Sequence, residues 1–480
     1  MLNPAWRMPP LGSPEKERTL LVIVCKFGGS SLAEASLFQK ACEIMCADPR
    51  RKIMVVSAPG KRSSVPGDIK LTDRLIDLSE TKEKKGSVDT DIVNAVDEQI
   101  RSICTGLSLP DELPDQLIDD ILTLALKVDP DKPWTRADLI ASGEIVSAKI
   151  ATACLRNMGT PARIVDPREA GLLVRSSNSG TIILPESYRH LGRLNWTKEI
   201  LCVPGFFGVN EHGHTVLFSR GGSDITGSVL AKATGAKLYE NWTDRDSVFA
   251  VNPEIIEQTV PILEISYREM RELAYMGFSI LHPEALEPVI EQRIPVHIRN
   301  TNNPAAPGTK IIPERTHIDR AITGIAASDQ FVALSLRRVL INQEIGILYH
   351  ILRFFVDESI NVHHVPTGID SLSIIVRDED LTLEKEQRIR ERLKHELGIS
   401  DVIVTRGLAI IMLVGEGIRD NVDILAKATG ALAEERISIE TVILDYFEIS
   451  LIFMVRDYDK TRAASALYRT FFKKKPLDRS

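Results

Sequence analysis

Four apolar residues in a row, Leu21 to Val24, give the first short buried-strand signal, and Gly28, Gly29, Ser30 and Ser31 interrupt it. Leu32, Ala35, Phe38, Cys42 and Met45 then recur at spacings of three or four, which predicts a helix. Lys52 to Val56 reads as a second strand, stopped by Ser57-Ala58-Pro59-Gly60 and an exposed loop to Asp68. Thr72-Asp73 opens a further helix, and residues 86 to 127 read as helical with a break marked by Pro110 and Pro114. In the helix predicted over Ala137 to Arg156, Leu139, Gly143, Val146, Ile150 and Cys154 form one stripe. Strands at Ala162 to Val165, Ile200 to Val203, Thr215 to Phe218, Leu238 to Trp242 and Val296 to Arg299 alternate with helices at Ile225 to Ala233 and Tyr267 to Tyr275. That alternation predicts a three-layer α/β domain with a mostly parallel sheet.

Past a connector at 313–323 the pattern repeats at an offset of 77. Val332 to Arg337 maps onto Ala409 to Val414; Ile347, Leu348 and Phe355 map onto Ile424, Leu425 and Leu432; Ser373 maps onto Ser450. Each copy reads as a ferredoxin-like βαββαβ unit, about 330–405 and 406–480, without a titratable cluster of its own. The expected organisation is therefore a lead-in at 1–20, a catalytic domain at 21–313 and a regulatory region at 314–480.

Composition narrows the class. The chain has 480 residues, 44% hydrophobic and 26% charged, with net charge −7, which argues against nucleic acid or an anionic membrane as partner. No apolar run reaches the roughly 20 residues of a membrane span. Six cysteines without a C-x-x-C pair read as thiols of a reducing, cytoplasmic compartment. His212/His214 and His363-His364 lack further ligands at zinc spacing, so no metal site is expected in the protein itself.

The chemistry sits at two strand–Gly-Gly–helix turns. In the first, Lys26 stands beside Gly28, Gly29 and Ser30; in the second, Ser219-Arg220-Gly221-Gly222-Ser223-Asp224 carries an arginine, a serine and an aspartate. Bare backbone N–H groups, a helix start and a cation favour a phosphate. Ser223 or Asp224 is also a natural N-cap, and Glu144, beside the apolar stripe, reads in isolation as a solvated glutamate. Lys26, Ser57, Arg220 and Thr243 all follow strand ends, where ligands of parallel sheets bind.

Taken in order, KFGGSS (26–31), SGE (142–144), SRGGSD (219–224), WTD (242–244) and LHPEAL (281–286) resemble the aspartate kinases, followed by paired ACT regulatory domains. The finer texture, YMGFSILHPEAL and VPTGIDSLSIIV, is most similar to monofunctional bacterial members sensitive to threonine. The resemblance implies ATP-dependent phosphorylation of the L-aspartate side chain to 4-phospho-L-aspartate, the first step toward lysine, threonine and methionine, with Mg²⁺ arriving on the ATP. Under it, Lys26 contacts the transferred phosphoryl group and Asp224 organises the transfer site. Gly28, Gly29 and Ser30 meet the phosphates, and Thr243 and Asp244 hold the nucleotide. Glu144 receives the α-amino group of aspartate and Arg220 its α-carboxylate, with Ser57, Thr72 and Ser223 as secondary contacts. Two nucleotide positions depart from the family pattern: a lysine common in relatives is Ser279 here, and a tyrosine and an aspartate are Phe249 and Asn252. The resemblance further implies an amino-acid effector, threonine or lysine, at Ile345, Gly346, Ile347, Asn361 and Val362, and a homodimer or dimer of dimers through the ACT domains. Asp423 replaces Gly346 in the second copy, which points to one effector site per chain. The alternatives are a catalytically weak or inactive amino-acid sensor and another amino-acid kinase of the same fold.

Overall fold

The run Ile23–Phe27 becomes a strand because both of its faces are covered. Cys25 and Phe27 join a core built with the helices Ala35–Cys46, Leu71–Lys85, Thr90–Gly106, Glu112–Leu126 and Pro133–Asn157. Val24 and Lys26 point to the opposite face, where the helix Gly222–Thr234 lies. The computed structural model of the chain describes residues 21–473 except 178–179, 219–220, 279–280, 282, 316–317, 319 and 445–448. Contacts divide it into two units, residues up to 247 with 284–313, and residues 248–283 with those from 314 onward. The segment 248–283 thus packs with the second unit, although it precedes the expected boundary at 313.

In the first unit the sheet places Ile23–Phe27 between Arg51–Val56 and Leu238–Thr243, both parallel to it. Ile200–Pro204 and Ala162–Ile164 continue one side in parallel. Val296–Asn300 continues the other, and Thr309–Ile312 pairs antiparallel with it. The chain leaves Ile23–Phe27 toward one neighbour and returns much later as the other, so a topological switch point lies at the carboxyl end of this strand. Helices cover both faces, which is the three-layer arrangement. Two local expectations change. The first Gly-Gly turn runs into a short 3₁₀ turn, Gly29–Leu32, before the helix begins at Ala35. Pro114 does not break a helix; it sits in the first turn of Glu112–Leu126, where its missing N–H has no helical partner to lose. Among the described residues no helix is long and apolar enough to cross a membrane.

In the second unit, the strands run in the order Val362–His364, Ser371–Arg377, Gly324–Arg337, Asp401–Val414, Ser450–Arg456 and Thr441–Leu444, all antiparallel. Helices Ile347–Asp357, Leu383–Leu397, Ile424–Glu434 and Lys460–Phe472 complete the two repeats. The pairing gives the second copy a strand that lies ahead of residue 330, outside the expected span 406–480. The first copy is continuous, with Ala333–Arg337 paired to 401–405. The second copy has no fourth strand after its last described helix; that position is taken by Gly324–Ser328, which pairs with 410–414. Each long strand therefore serves both copies. At the crossover the backbone turns left-handed at Gln330 (φ 63°) and at Gly407 (φ 68°), positions related by the same offset of 77.

Candidate active site

Lys26 Nζ lies 2.7 Å from Asp224 Oδ1, a pair whose side chains are 12% and 11% exposed. Asp224 Oδ1 also accepts a hydrogen bond from Asn241 Nδ2 at 2.9 Å, and the Asp224 carbonyl accepts from the Tyr239 hydroxyl at 3.2 Å. The close packing of helix Gly222–Thr234 on the strand depends on Gly227, where a Cβ would stand 2.7 Å from the Tyr239 ring. Neither Ser223 nor Asp224 is the N-cap. That position is Gly221, in the left-handed region at φ 76°, which leaves the Asp224 carboxylate free to meet Lys26. Ser223 is buried against Gly205, where an added Cβ would come within 2.7 Å of Ser223 Oγ. The next residue, Phe206, has φ 76°, a strained conformation for an aromatic residue, and its ring lies over Gly222.

The glycine turn after Lys26 is shaped by its neighbours. Gly28 N–H donates to the Trp242 carbonyl (3.1 Å), and Gly60 N–H donates to the Gly29 carbonyl (2.9 Å). A Cβ on Gly29 would approach the Ala58 carbonyl to 2.9 Å, and one on Gly60 would come within 2.5 Å of the Gly29 carbonyl. These two segments can meet only as bare backbone. Ser30 is exposed beside this turn, and Ser57, half-buried, follows the second strand with its N–H on the Phe27 carbonyl. Thr72 is half-buried in the first turn of Leu71–Lys85.

Glu144 is not a solvated residue. It is 4% exposed; Oε1 accepts the Ala58 N–H at 3.0 Å, and Oε2 is buried with no partner. Burial pushes its carboxyl up to about 8, against the pull of the backbone hydrogen bond. Gly143 makes this placement possible, since a Cβ there would stand 2.9 Å from the Ala58 Cβ. Thr243 Oγ1 donates to Asp244 Oδ1 at 3.1 Å, with Asp244 exposed, and the Thr243 carbonyl accepts the Thr301 N–H.

Residue patterns alone missed the layer beneath these groups. Glu240, 3% exposed, accepts from Arg51 Nε (2.8 Å) and Nη2 (3.1 Å), Arg299 Nη1 (3.3 Å) and Trp242 Nε1 (3.1 Å). Both guanidinium groups also lie over the Trp242 ring, at 5.3 and 4.4 Å. Asp246 Oδ1 receives Asn300 Nδ2 at 2.7 Å, and Thr301 Oγ1 donates to Ser31 Oγ at 2.7 Å. The signal was present as charged and polar residues inside strand patterns, which are costly unless paired.

The profile of the amino acid kinase family matches residues 22–300, and that of the ACT domain matches 411–471. Aspartokinase 3 of Bacillus subtilis is 41% identical over 450 residues, covering 94% of this chain and 98% of that one. The chain belongs to the aspartokinases. The crystal structure of the Clostridium acetobutylicum aspartate kinase aligns with a TM-score of 0.79 at 30% identity, covering 94% of this chain and all (100%) of the other. Escherichia coli aspartokinase III, solved in complex with aspartate and ADP, shares the fold with a TM-score of 0.77 at 23% identity.

Two expected aspartokinase site residues, Arg220 and Ser279, lie outside the described residues. Phe249 belongs to the second unit, in the strand Val248–Phe249 paired with Pro261–Ile262. In the first ACT copy, Gly346 occupies the N-cap of Ile347–Asp357 with φ 79°, flanked by Ile345, 99% exposed, and buried Ile347. Asn361 is exposed, and Val362 begins the strand Val362–His364. The equivalent of Gly346 in the second copy, Asp423, has φ −94° and pairs with Lys427 on its own helix. The two copies therefore differ in backbone as well as in side chain at this point.

Proposed function

We propose that this aspartokinase transfers the γ-phosphoryl group of ATP to the side-chain carboxylate of L-aspartate, with Lys26 as the catalytic cation. The observation that carries the reading is the Lys26–Asp224 pair, buried at the carboxyl end of the central strand beside a turn of bare glycine backbone. Phosphoryl transfer asks mainly for positioning and charge neutralisation. Asp224, itself held by Asn241, holds the Lys26 ammonium; Gly29 and Ser30 offer N–H groups to the phosphates, next to Gly28, whose own N–H is held by the Trp242 carbonyl; Thr243 and Asp244 hold the nucleotide. Glu144 takes the ammonium of aspartate, Arg220 its α-carboxylate, and Ser57, Thr72 and Ser223 its remaining polar edge. The attacking carboxylate is already ionised at pH 7, so no general base is required.

Mg²⁺ fits this site only as a companion of the nucleotide: among the described residues no three His, Cys, Asp or Glu side chains stand together to hold a metal ion. No step is assigned to it. The effector, threonine or lysine, binds at Gly346 of the first ACT copy, whose open αL turn leaves backbone groups for an amino acid's charged ends. Ile345 and Val422, each 99% exposed and related by the repeat, are the apolar positions through which two chains associate. The test is acyl-phosphate formation from L-aspartate and ATP, trapped with hydroxylamine. Wild-type turnover that disappears in Lys26→Ala is expected; no turnover by the wild-type chain overturns the assignment.

A further inference from the structure

We propose that aspartate binding is coupled to loss of a proton from Glu144, which waits in the empty site as a neutral carboxylic acid and ionises as the substrate ammonium reaches it. This rests on the reading that Glu144 receives the ammonium. Among the described residues the geometry gives the empty site no means of holding a charge there. Oε1 has one hydrogen bond, from the Ala58 N–H, and Oε2 is buried without any. One turn along the same helix, Ser147 is 0% exposed and its hydroxyl is likewise unpartnered, so the face is built around polar atoms that something absent must satisfy.

Among the described residues no counter-ion is at hand. On the packed helix Leu71–Lys85, Arg74 is committed to Asp68, and Asp73 and Asp77 are exposed. On the strand Arg51–Val56, Arg51 is committed to Glu240 and Lys52 is half-buried. Arg163, on the strand Ala162–Ile164, pairs with Glu199, and Lys149, on the helix of Glu144 itself, pairs with Asp120 of the packed helix Glu112–Leu126. On that helix Glu112, Asp115 and Asp119 are exposed, and on Ala35–Cys46 Glu43 is exposed and Lys40 half-buried. The buried thiols Cys42 and Cys202 are pushed up by their surroundings and stay neutral. Desolvation therefore dominates, as the upward shift to about 8 records.

The exchange balances simply. The Glu144 O–H bond breaks, the proton leaves to the buffer, and the carboxylate left behind pairs with an ammonium that keeps all of its own protons. At pH 7 a group titrating near 8 is about nine-tenths protonated, so close to one proton leaves per aspartate bound. Below about pH 8 the apparent affinity for aspartate falls, approaching tenfold per unit; above it the affinity levels off.

The experiment is calorimetric titration of L-aspartate into the full chain with a non-hydrolysable ATP analogue, at pH 7, in buffers of different ionisation enthalpy. A pH profile of kcat/KM for aspartate accompanies it. Release of about 0.9 proton per aspartate, with kcat/KM rising through pH 7 to a plateau above 8, supports the coupling. Binding without proton exchange and with a flat profile overturns it, even if Glu144→Gln weakens aspartate binding; that combination would keep Glu144 as the ammonium partner but already ionised. Wild-type affinity in Glu144→Gln overturns the underlying reading as well. Should Glu144→Gln fail to fold, the wild-type proton count alone decides.

Discussion

Glu240 is the residue whose loss should reach furthest. Its carboxylate is shared by Arg51, in a two-pronged contact at 2.8 and 3.1 Å, by Arg299 at 3.3 Å and by the Trp242 indole N–H at 3.1 Å. Glu240→Gln keeps the shape but removes the charge, and turns one acceptor into a donor facing donors. Breaking a buried ion pair from one side costs about 3–5 kcal/mol, because the partner charges stay behind. Here two guanidinium groups stay, and their contact with the Trp242 ring returns about 1–2 kcal/mol at most. The expected net loss is about 3 kcal/mol, which for a unit of this size lowers its thermal midpoint by roughly 10 °C. Differential scanning calorimetry of the full chain measures it. The damage also reaches the site, because the Trp242 carbonyl accepts the Gly28 N–H and Asn241 holds Asp224. Burial alone would raise the Glu240 pKa, but the Arg51 hydrogen bond and the charges of Arg51 and Arg299 leave it below the usual carboxylate range. The group thus stabilises the fold above its unfolded pKa, and that stabilisation is lost as pH falls through the folded value. The wild-type advantage over Glu240→Gln should therefore shrink below about pH 4. A midpoint within about 2 °C of wild type at pH 7, or a difference that does not narrow in acid, would refute the argument; the arginines would then be held chiefly by the indole.

Lys26→Ala should lower kcat at least 10²- to 10³-fold, the scale of losing one charge-stabilising group, while circular dichroism shows an intact fold. Asn241→Ala removes one of the two described hydrogen bonds to Asp224 Oδ1. About 1.5 kcal/mol from that bond to a charged group predicts a roughly tenfold fall in kcat with KM for aspartate nearly unchanged, and steady-state kinetics separates the two. Gly29→Ala pushes a methyl group to 2.9 Å from the Ala58 carbonyl, so activity should fall more than tenfold with a stability loss of about 1–3 kcal/mol in urea unfolding. Gly346→Asp gives the first ACT copy the residue of the second; the threonine or lysine concentration that halves activity should rise at least tenfold in the hydroxamate assay.

The strand–glycine–helix units were legible because their signals are local: apolar runs set the strands, and glycine pairs mark where backbone must pass backbone. The Tyr267–Tyr275 helix matches its pattern end to end, with a Ser266/Glu269 capping box at its start. Glu144 was not legible by itself. Its periodicity is that of a helix flank, and only the approach of residues 57–60, permitted by Gly143, covers it. Asn241 and Glu240 were hidden for a related reason: a polar residue within a strand declares nothing about the partner brought to it from another part of the chain. The second ACT copy misled in topology, because strand patterns do not say which strand they join.

That topology has a practical corollary. Ser328 and Ile410 face each other across paired strands, with the whole first copy strung between them. In effect the first copy is spliced into the tip of a β-hairpin. Excising it and rejoining the ends with a two- or three-residue turn would restore an ordinary hairpin and leave the second copy with every strand it uses. A cut just ahead of residue 330, by contrast, would strip the second copy of its edge strand Gly324–Ser328 while leaving the first whole. The two repeats are alike in plan, yet only one of them can be lifted out.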